Sequence, residues 1–332
     1  MMSKPSFWID LRENIKRRLW PLLLITILQL FSYPIAMAIT LANVRSYSDG
    51  NDEYLVRNLL TSGIRTMSSE IGIFVAMMAG FLLAMQGFGY VYHRVQVDML
   101  QAQPVSPRRR FGVIYAGGLL VWFAPTVLCM ILAVLISIPM GGFSGTMLLA
   151  GLGGLWKSIL GFLAAYHVTA LAVMMTGHLV VGCLATAVFA GFEVVLRLLI
   201  YGYMASFFDT FYDQYGMTAI VSHSLTSPMI TLLVGIANAK WTQAYVKLII
   251  QIIVYLALAY YAYRKRPMEA AGKAMAFEKT KLPIYLVLVF MGALMGGVLF
   301  SSLVYDRTTL FCAFGMVIGA ILTQILVQII YN

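Results

Sequence analysis

The chain has 332 residues, of which 61% are hydrophobic and only 11% charged, and its mean hydropathy is +0.85. Soluble domains are roughly one half apolar and about one quarter charged, so an aqueous globular fold is excluded and an integral membrane protein is indicated. The formal net charge of +10 does not argue for nucleic acid, because the Lys and Arg residues collect in loops beside apolar runs, where positive residues fix topology.

In chain order, residues 5–19 place Phe7, Leu11, Ile15 and Leu19 at four-residue spacing with Trp8 beside them, while Arg12, Lys16 and Arg17 fall on other faces. That pattern predicts an interfacial amphipathic helix as the N-terminal element, residues 1–18. A first span follows at 19–43. A secretory signal would explain the basic start and the Ala36-Met37-Ala38 site, but the apolar run is too long for one. From Asn43 to Ser69 the chain is polar, rich in Ser, Asn, Asp and Arg. Further spans are expected at 70–91, 111–138, 153–175, 179–202, 242–263, 282–303 and 309–331, each long enough for a hydrocarbon core of about 30 Å. The predicted class is an all-α polytopic membrane protein: a six-span region over 19–263, and two further helices over 282–332. The connecting segments are a cytosolic loop at 93–110, an outer loop at 203–240 and a cytosolic loop at 264–281.

With the N-terminus in the cytoplasm, the inside segments hold fifteen of the 23 Lys and Arg residues. They include Lys4, Arg12 and Lys16 to Arg18, then Arg94 and Arg108 to Arg110, then Arg264 to Arg266, Lys273, Lys279 and Lys281. Asp49, Asp52, Glu53, Asp209 and Asp213 fall outside. This is the positive-inside bias, and it predicts a cytoplasmic N-terminus. The last two spans carry Gly292-x-x-x-Gly296 and Gly315-x-x-x-Gly319, spacing that lets helix backbones approach closely.

Candidate chemistry is sparse. "GLGGLWKS", Gly151 to Ser158, has the spacing of a phosphate-binding loop, but Trp156 replaces the second glycine and blocks the backbone from wrapping a phosphate. "FEVVLR", Phe192 to Arg197, resembles the E-E-x-x-x-R motif of intramembrane CAAX-type proteases, with Phe192 in place of the first Glu. The simpler reading is an i, i+4 pair of Glu193 and Arg197. Ionisable groups at membrane depth are functional candidates, so the pair is also read as a substrate-path or gating feature. His167 and His178 would share a face on a continuous helix but lie about 16 Å apart along it. No metal site is expected from them, nor from His93 and His223 in loops. Cys129, Cys183 and Cys312 read as small hydrophobes. The loop at 203–240 is dense in aromatics, including Phe207, Phe208, Phe211, Tyr212 and Tyr215, which fits either interfacial anchoring or a hairpin re-entering the membrane.

The polar insert "YHRVQVDMLQAQPVSPRRRF" separates the second and third spans. Arg94 to Gln103 is expected to form a short helix with Val95, Met99 and Gln103 on one side and Asp98 on another, ended by Pro104. Ser106 is an N-cap and Pro107 a first helical residue for the next span. At these residues the chain resembles the ABC-2-type permease subunits of Firmicutes multidrug and peptide ABC transporters. Their stretch K-x-D-x-Y-H-S-L-P-V-S-R-x-x-L-F is similar at Asp98, Pro104, Val105, Ser106, Arg109 and Phe111, and departs at Met99 and at Gln101 to Gln103. "YRKRPMEAAGKAMAFEKTK", Tyr263 to Lys281, is similar to the family's Y-R-K-R-x-x-E-A-A-G-K-A-x-A-F in nearly every position. Many members continue beyond a position similar to the final "QIIYN", which implies a short or truncated member.

The resemblance implies a type V exporter architecture in the bacterial cytoplasmic membrane. Two permease subunits would pair, each docked on a cytosolic ATP-binding cassette subunit that carries ATP and Mg, with no cofactor on this chain and no nucleic-acid partner. ATPase coupling would fall to Val95, Asp98, Met99, Gln103, Pro104, Val105 and Arg109. A second cytosolic element would comprise Arg266, Glu269, Lys273 and Phe277. A drug, peptide or lipid-like cargo would be exported. Rival classes are an intramembrane CAAX-type hydrolase and a non-transporting membrane scaffold or sensor.

Overall fold

In lipid every backbone N–H and C=O must be bonded within the protein, so apolar runs of this length form helices. The computed structural model describes residues 7–47, 53–67, 71–140, 144–208, 210–212, 224–237, 241–304 and 308–331. Among these residues the chain is very largely helical, with no strand and a single antiparallel bridge between Thr176 and Met275. Among the described residues, eight helices are long and apolar enough to cross a membrane. The protein is therefore an all-α, multi-pass membrane protein in contact with the lipid bilayer.

The chain divides into two compact units, Met1–Phe88 with Gln101–Ala170, and Gly89–Leu100 with Leu171–Asn332. In the first unit the amphipathic helix α1 is Phe7–Lys16. The first span is built from α2, Leu19–Leu30, a π-helical turn at Phe31–Ile35, and α3, Ala36–Tyr47. Pro34 lies in the π turn; it has no N–H to give the ladder, which is a common cause of such local widening. The segment read as merely polar contains a further helix, α4, Glu53–Thr66. Its Val56, Leu60 and Ile64, four residues apart, are buried with Met67 against Tyr33, Met37, Met130 and Met147. That apolar stripe was present among the Ser, Asn and Arg residues and is the reason the segment is helical.

Helix α5, Gly72–Phe88, makes the second span. The third, α7, Pro107–Ser137, packs against α1, α2, α3 and α5 and is the hub of this unit. It opens as expected, with Pro107 in its first turn and the Arg109 amide donating to Ser106 Oγ at 3.4 Å. Helix α8, Gly145–Met175, starts earlier than the expected 153. The whole "GLGGLWKS" segment therefore lies inside α8, where backbone amides are committed to the helix ladder and are not free to cradle phosphate. Between α7 and α8 runs an aromatic stack in which Trp122 and Phe162 centroids are 4.6 Å apart and Phe162 and Tyr166 5.3 Å apart. His167 stacks on Tyr115 and shares a 3.0 Å hydrogen bond with its hydroxyl.

In the second unit a 3-10 turn at Gly89–Tyr92 leads into α6, Arg94–Gln101. Helix α6 ends two residues before the expected boundary, so Gln103 is off the helix and does not extend the Val95–Met99 face. The remaining helices are α9, Leu179–Phe207; α10, Pro228–Ala237; α11, Trp241–Lys265; α12, Glu278–Ser302; and α13, Thr308–Tyr331. The chain breaks at Thr176 to His178 between α8 and α9, where the expected spans 153–175 and 179–202 left a gap, so His167 and His178 lie on opposite sides of the break and not on one continuous helix. The GxxxG motifs pair with each other. A Cβ on Gly296 would strike the Gly315 carbonyl, and one on Gly319 the Gly292 carbonyl, so α12 and α13 meet backbone to backbone.

Candidate functional site

Two chain segments of the second unit converge on Arg266. Its guanidinium donates from Nη1 to the carbonyls of Met174, at 2.6 Å, and Val173, at 3.0 Å, and from Nη2 to the carbonyl of Val91 at 3.3 Å. The carbonyls at a helix C-terminus have no intrahelical donor, and Val173 and Met174 end α8. One planar fork of five donors thus caps the end of one span and the turn that follows another, a geometry open to Arg and not to Lys. Burial pulls the Arg266 pKa down to about 10, and at neutral pH it remains cationic.

The residues after Arg266 wrap around the junction between α8 and α9. Gly177 donates its amide to Ala274 and Gly272 donates to Gly177, while Ala276 donates to Met175 at 2.9 Å. A Cβ at Gly177 would collide with the carbonyls of Ala270 and Lys273, and Gly272 has φ of 84°, so both positions require glycine. Arg94, at the start of α6, donates from Nε to the Ala271 carbonyl at 3.2 Å. The two polar segments singled out in the sequence, 93–110 and 264–281, are therefore tied together.

Helix α6 buries Val97 and leaves its opposite face open, with Val95 81% and Met99 53% exposed and Asp98 exposed beside them. Gln103 and Pro104 are exposed in the following turn, and the Val105 carbonyl accepts from Arg110 Nη2 at 3.5 Å. Arg109 forms a 2.7 Å ion pair with Asp10 of α1 and holds that helix to α7. Of the second set, Glu269 and Lys273 are exposed, Lys273 lies 3.9 Å from Glu278, and Phe277 is half-buried just before α12.

A second constellation lies at the midpoint of α9, about 21 Å from either end of the helix. Glu193 pairs with Arg197 at 2.7 Å as the spacing predicted. It also accepts from the Leu225 amide at 2.7 Å, from Thr226 Oγ1 at 2.7 Å, from Ser224 Oγ at 3.2 Å and from the Thr226 amide. Residues 224–226, just before α10, thus lie beside the middle of α9. Gln251 of α11 holds the same segment through the Leu225 carbonyl at 2.7 Å. These donors fill the roughly four lone-pair sites of a carboxylate, so Glu193 is arranged to hold a loop rather than to activate water. Asp209, Asp213, Tyr215 and His223 lie outside the described residues. Among the described residues no three of His, Cys, Asp and Glu are grouped to hold a metal ion. Compared with protein-family models, with curated proteins and with solved structures, the chain matches none.

Two arginines were not singled out as site residues. Arg94 had a signal, since a cation in the first turn of a helix opposes the helix dipole and calls for another partner. Arg18 had none: it reads as a positive-inside residue, yet it is 2% exposed and donates to the Ile114 carbonyl at 3.1 Å in the first unit.

Proposed function

We propose that this chain is the membrane-spanning permease subunit of an ATP-driven ABC exporter, in which a separate cytosolic ATP-binding cassette subunit hydrolyses ATP. The observation that carries the reading is α6. It offers an exposed Val95, Asp98 and Met99 face, and Arg94 and Arg266 fasten it from behind to the end of α8, to Val91 and to the segment after α11. A displacement of α6 by a partner would be passed into several spans at once rather than absorbed by a loose loop. The resemblance at Asp98 to Phe111 and at Tyr263 to Lys281 supports the same role and supplies the direction of transport, the pairing with a second permease subunit, and the seat in a bacterial cytoplasmic membrane with the N-terminus inside. Cargo would be a drug, a peptide or a lipid-like molecule, in keeping with an apolar chain. Glu193 and Arg197 act in this reading as the mid-membrane anchor of a gating loop.

The test is co-expression with candidate ATP-binding cassette subunits from the same organism, followed by co-purification and transport-coupled ATPase assays. Asp98→Arg, which reverses a charge on the contact face, is expected to lower coupled activity about tenfold or more while insertion is unchanged. Full coupling in that variant, or no ATPase subunit on purification, sinks the reading.

A further inference from the structure

An apolar cavity of about 430 Å³ lies within the second unit, walled by α9, α12 and α13. Its α9 wall runs from Val181 to Phe192, about 16 Å at 1.5 Å per residue and so close to one leaflet of a roughly 30 Å hydrocarbon core. The far end is closed by Thr226, in the segment held by Glu193. Leu184 and Val287 on its walls are 48% and 41% exposed, so the cavity opens sideways as a groove. Averaged over its length the groove is about 9 Å across, narrower than the roughly 10–12 Å diameter of an α-helix. A neighbouring helix cannot enter it, whereas a single hydrocarbon chain can. At membrane depth the medium on its open side is lipid.

The near end is polar and shares Tyr331 with a second pocket, lined also by Glu278, Lys281 and Gln328. Lys281 Nζ stands 4.9 Å from the Tyr331 ring centroid. The Tyr331 hydroxyl is buried without a hydrogen-bond partner, an unfavourable condition that an arriving acceptor would relieve. The mouth of an apolar groove therefore offers a cation, an orphaned hydroxyl donor and, on Glu278, a carboxylate.

We infer that the groove binds one acyl chain of a phospholipid with a zwitterionic amine head group, its phosphate on Lys281 and Tyr331 and its ammonium toward Glu278. The second acyl chain stays in the bilayer. Binding belongs to this chain alone and holds whether or not an ATPase partners it.

The experiment uses the purified chain in detergent micelles with phosphatidylethanolamine carrying a photoactivatable diazirine in one acyl chain, and labelled residues are read by mass spectrometry. Label is expected between Val181 and Phe192 and between Ile284 and Leu288. Ala185→Trp, which fills the groove, is expected to lower that label about tenfold, and Lys281→Gln or Tyr331→Phe to raise the probe concentration needed by a similar factor. Leu286→Trp, on the lipid face outside the groove, leaves labelling unchanged. Label spread evenly over lipid-facing residues, or undiminished in a folded Ala185→Trp, overturns the acyl-chain site. Groove label that is indifferent to Lys281→Gln and is displaced equally by phosphatidylglycerol overturns the head-group assignment. Lys281 is exposed, so its variant keeps the test valid if the tryptophan disturbs folding.

Discussion

Arg18 and Arg266 show how far one residue's role depends on what surrounds it. Both follow the positive-inside pattern, and both turn inward to carbonyls. Gly87 makes room for Arg18, since a Cβ there would come within 2.6 Å of its guanidinium. Arg266 does more, because its three carbonyl acceptors belong to two separate segments. Arg266→Met leaves those acceptors without a donor and is expected to cost about 2–4 kcal/mol, read as a lowered denaturation midpoint in detergent. Arg266→Lys is expected to recover only part, since one ammonium cannot reproduce the fork. At Glu193 the conservative change to Gln replaces one acceptor oxygen by an NH2 that faces the Leu225 and Thr226 amides. Residues 224–226 should then open more readily, and hydrogen exchange at those two amides is expected to accelerate about 100-fold while exchange in α9 stays slow.

Among the elements, the α12–α13 hairpin depends most directly on what is missing from its side chains. Four glycines let two spans touch at their backbones, and in lipid such packing replaces the hydrophobic drive available in water. Gly296→Val is expected to destabilise the hairpin by about 3 kcal/mol or more, because a branched side chain meets a carbonyl and not a yielding side chain. Gly153→Ala is the control: nothing lies within 4 Å of the added methyl in α8, and the helix should gain up to about 1 kcal/mol. Unfolding midpoints of the two variants should move in opposite directions. Helix α4 carries the complementary point. Its stripe of Val56, Leu60, Ile64 and Met67 was legible, but the polar residues between them concealed it, whereas the long spans needed no partner to be recognised.

For the whole molecule, the eight spans leave large apolar side chains on the outside, among them Leu23, Phe74, Val180, Phe290 and Ile329. In water this would be an aggregation surface; in a bilayer it is the contact with acyl chains. On the topology that the charge asymmetry predicts, Val95 and Lys273 lie on one side of the membrane and Thr210 on the other. Single cysteines at the three exposed positions, with Cys129, Cys183 and Cys312 replaced, should react with a membrane-impermeant maleimide accordingly. In inside-out vesicles Val95→Cys and Lys273→Cys are expected to label and Thr210→Cys to stay unlabelled, with the reverse in intact cells. Labelling of all three from one side would refute the assigned topology.

The sequence by itself determined the class, the number of spans and their positions to within several residues, because a bilayer allows an apolar run little but a helix. It also determined the caps of α7 and the Glu193–Arg197 pair, which depend only on neighbours within one turn. Tertiary structure alone decided that Arg94 reaches Ala271, that Arg266 caps α8, that Arg109 pairs with Asp10, and that residues 224–226 lie against Glu193. Each of these joins segments far apart in the chain, and side-chain type and spacing carry no record of which distant carbonyl or carboxylate will lie within hydrogen-bond reach.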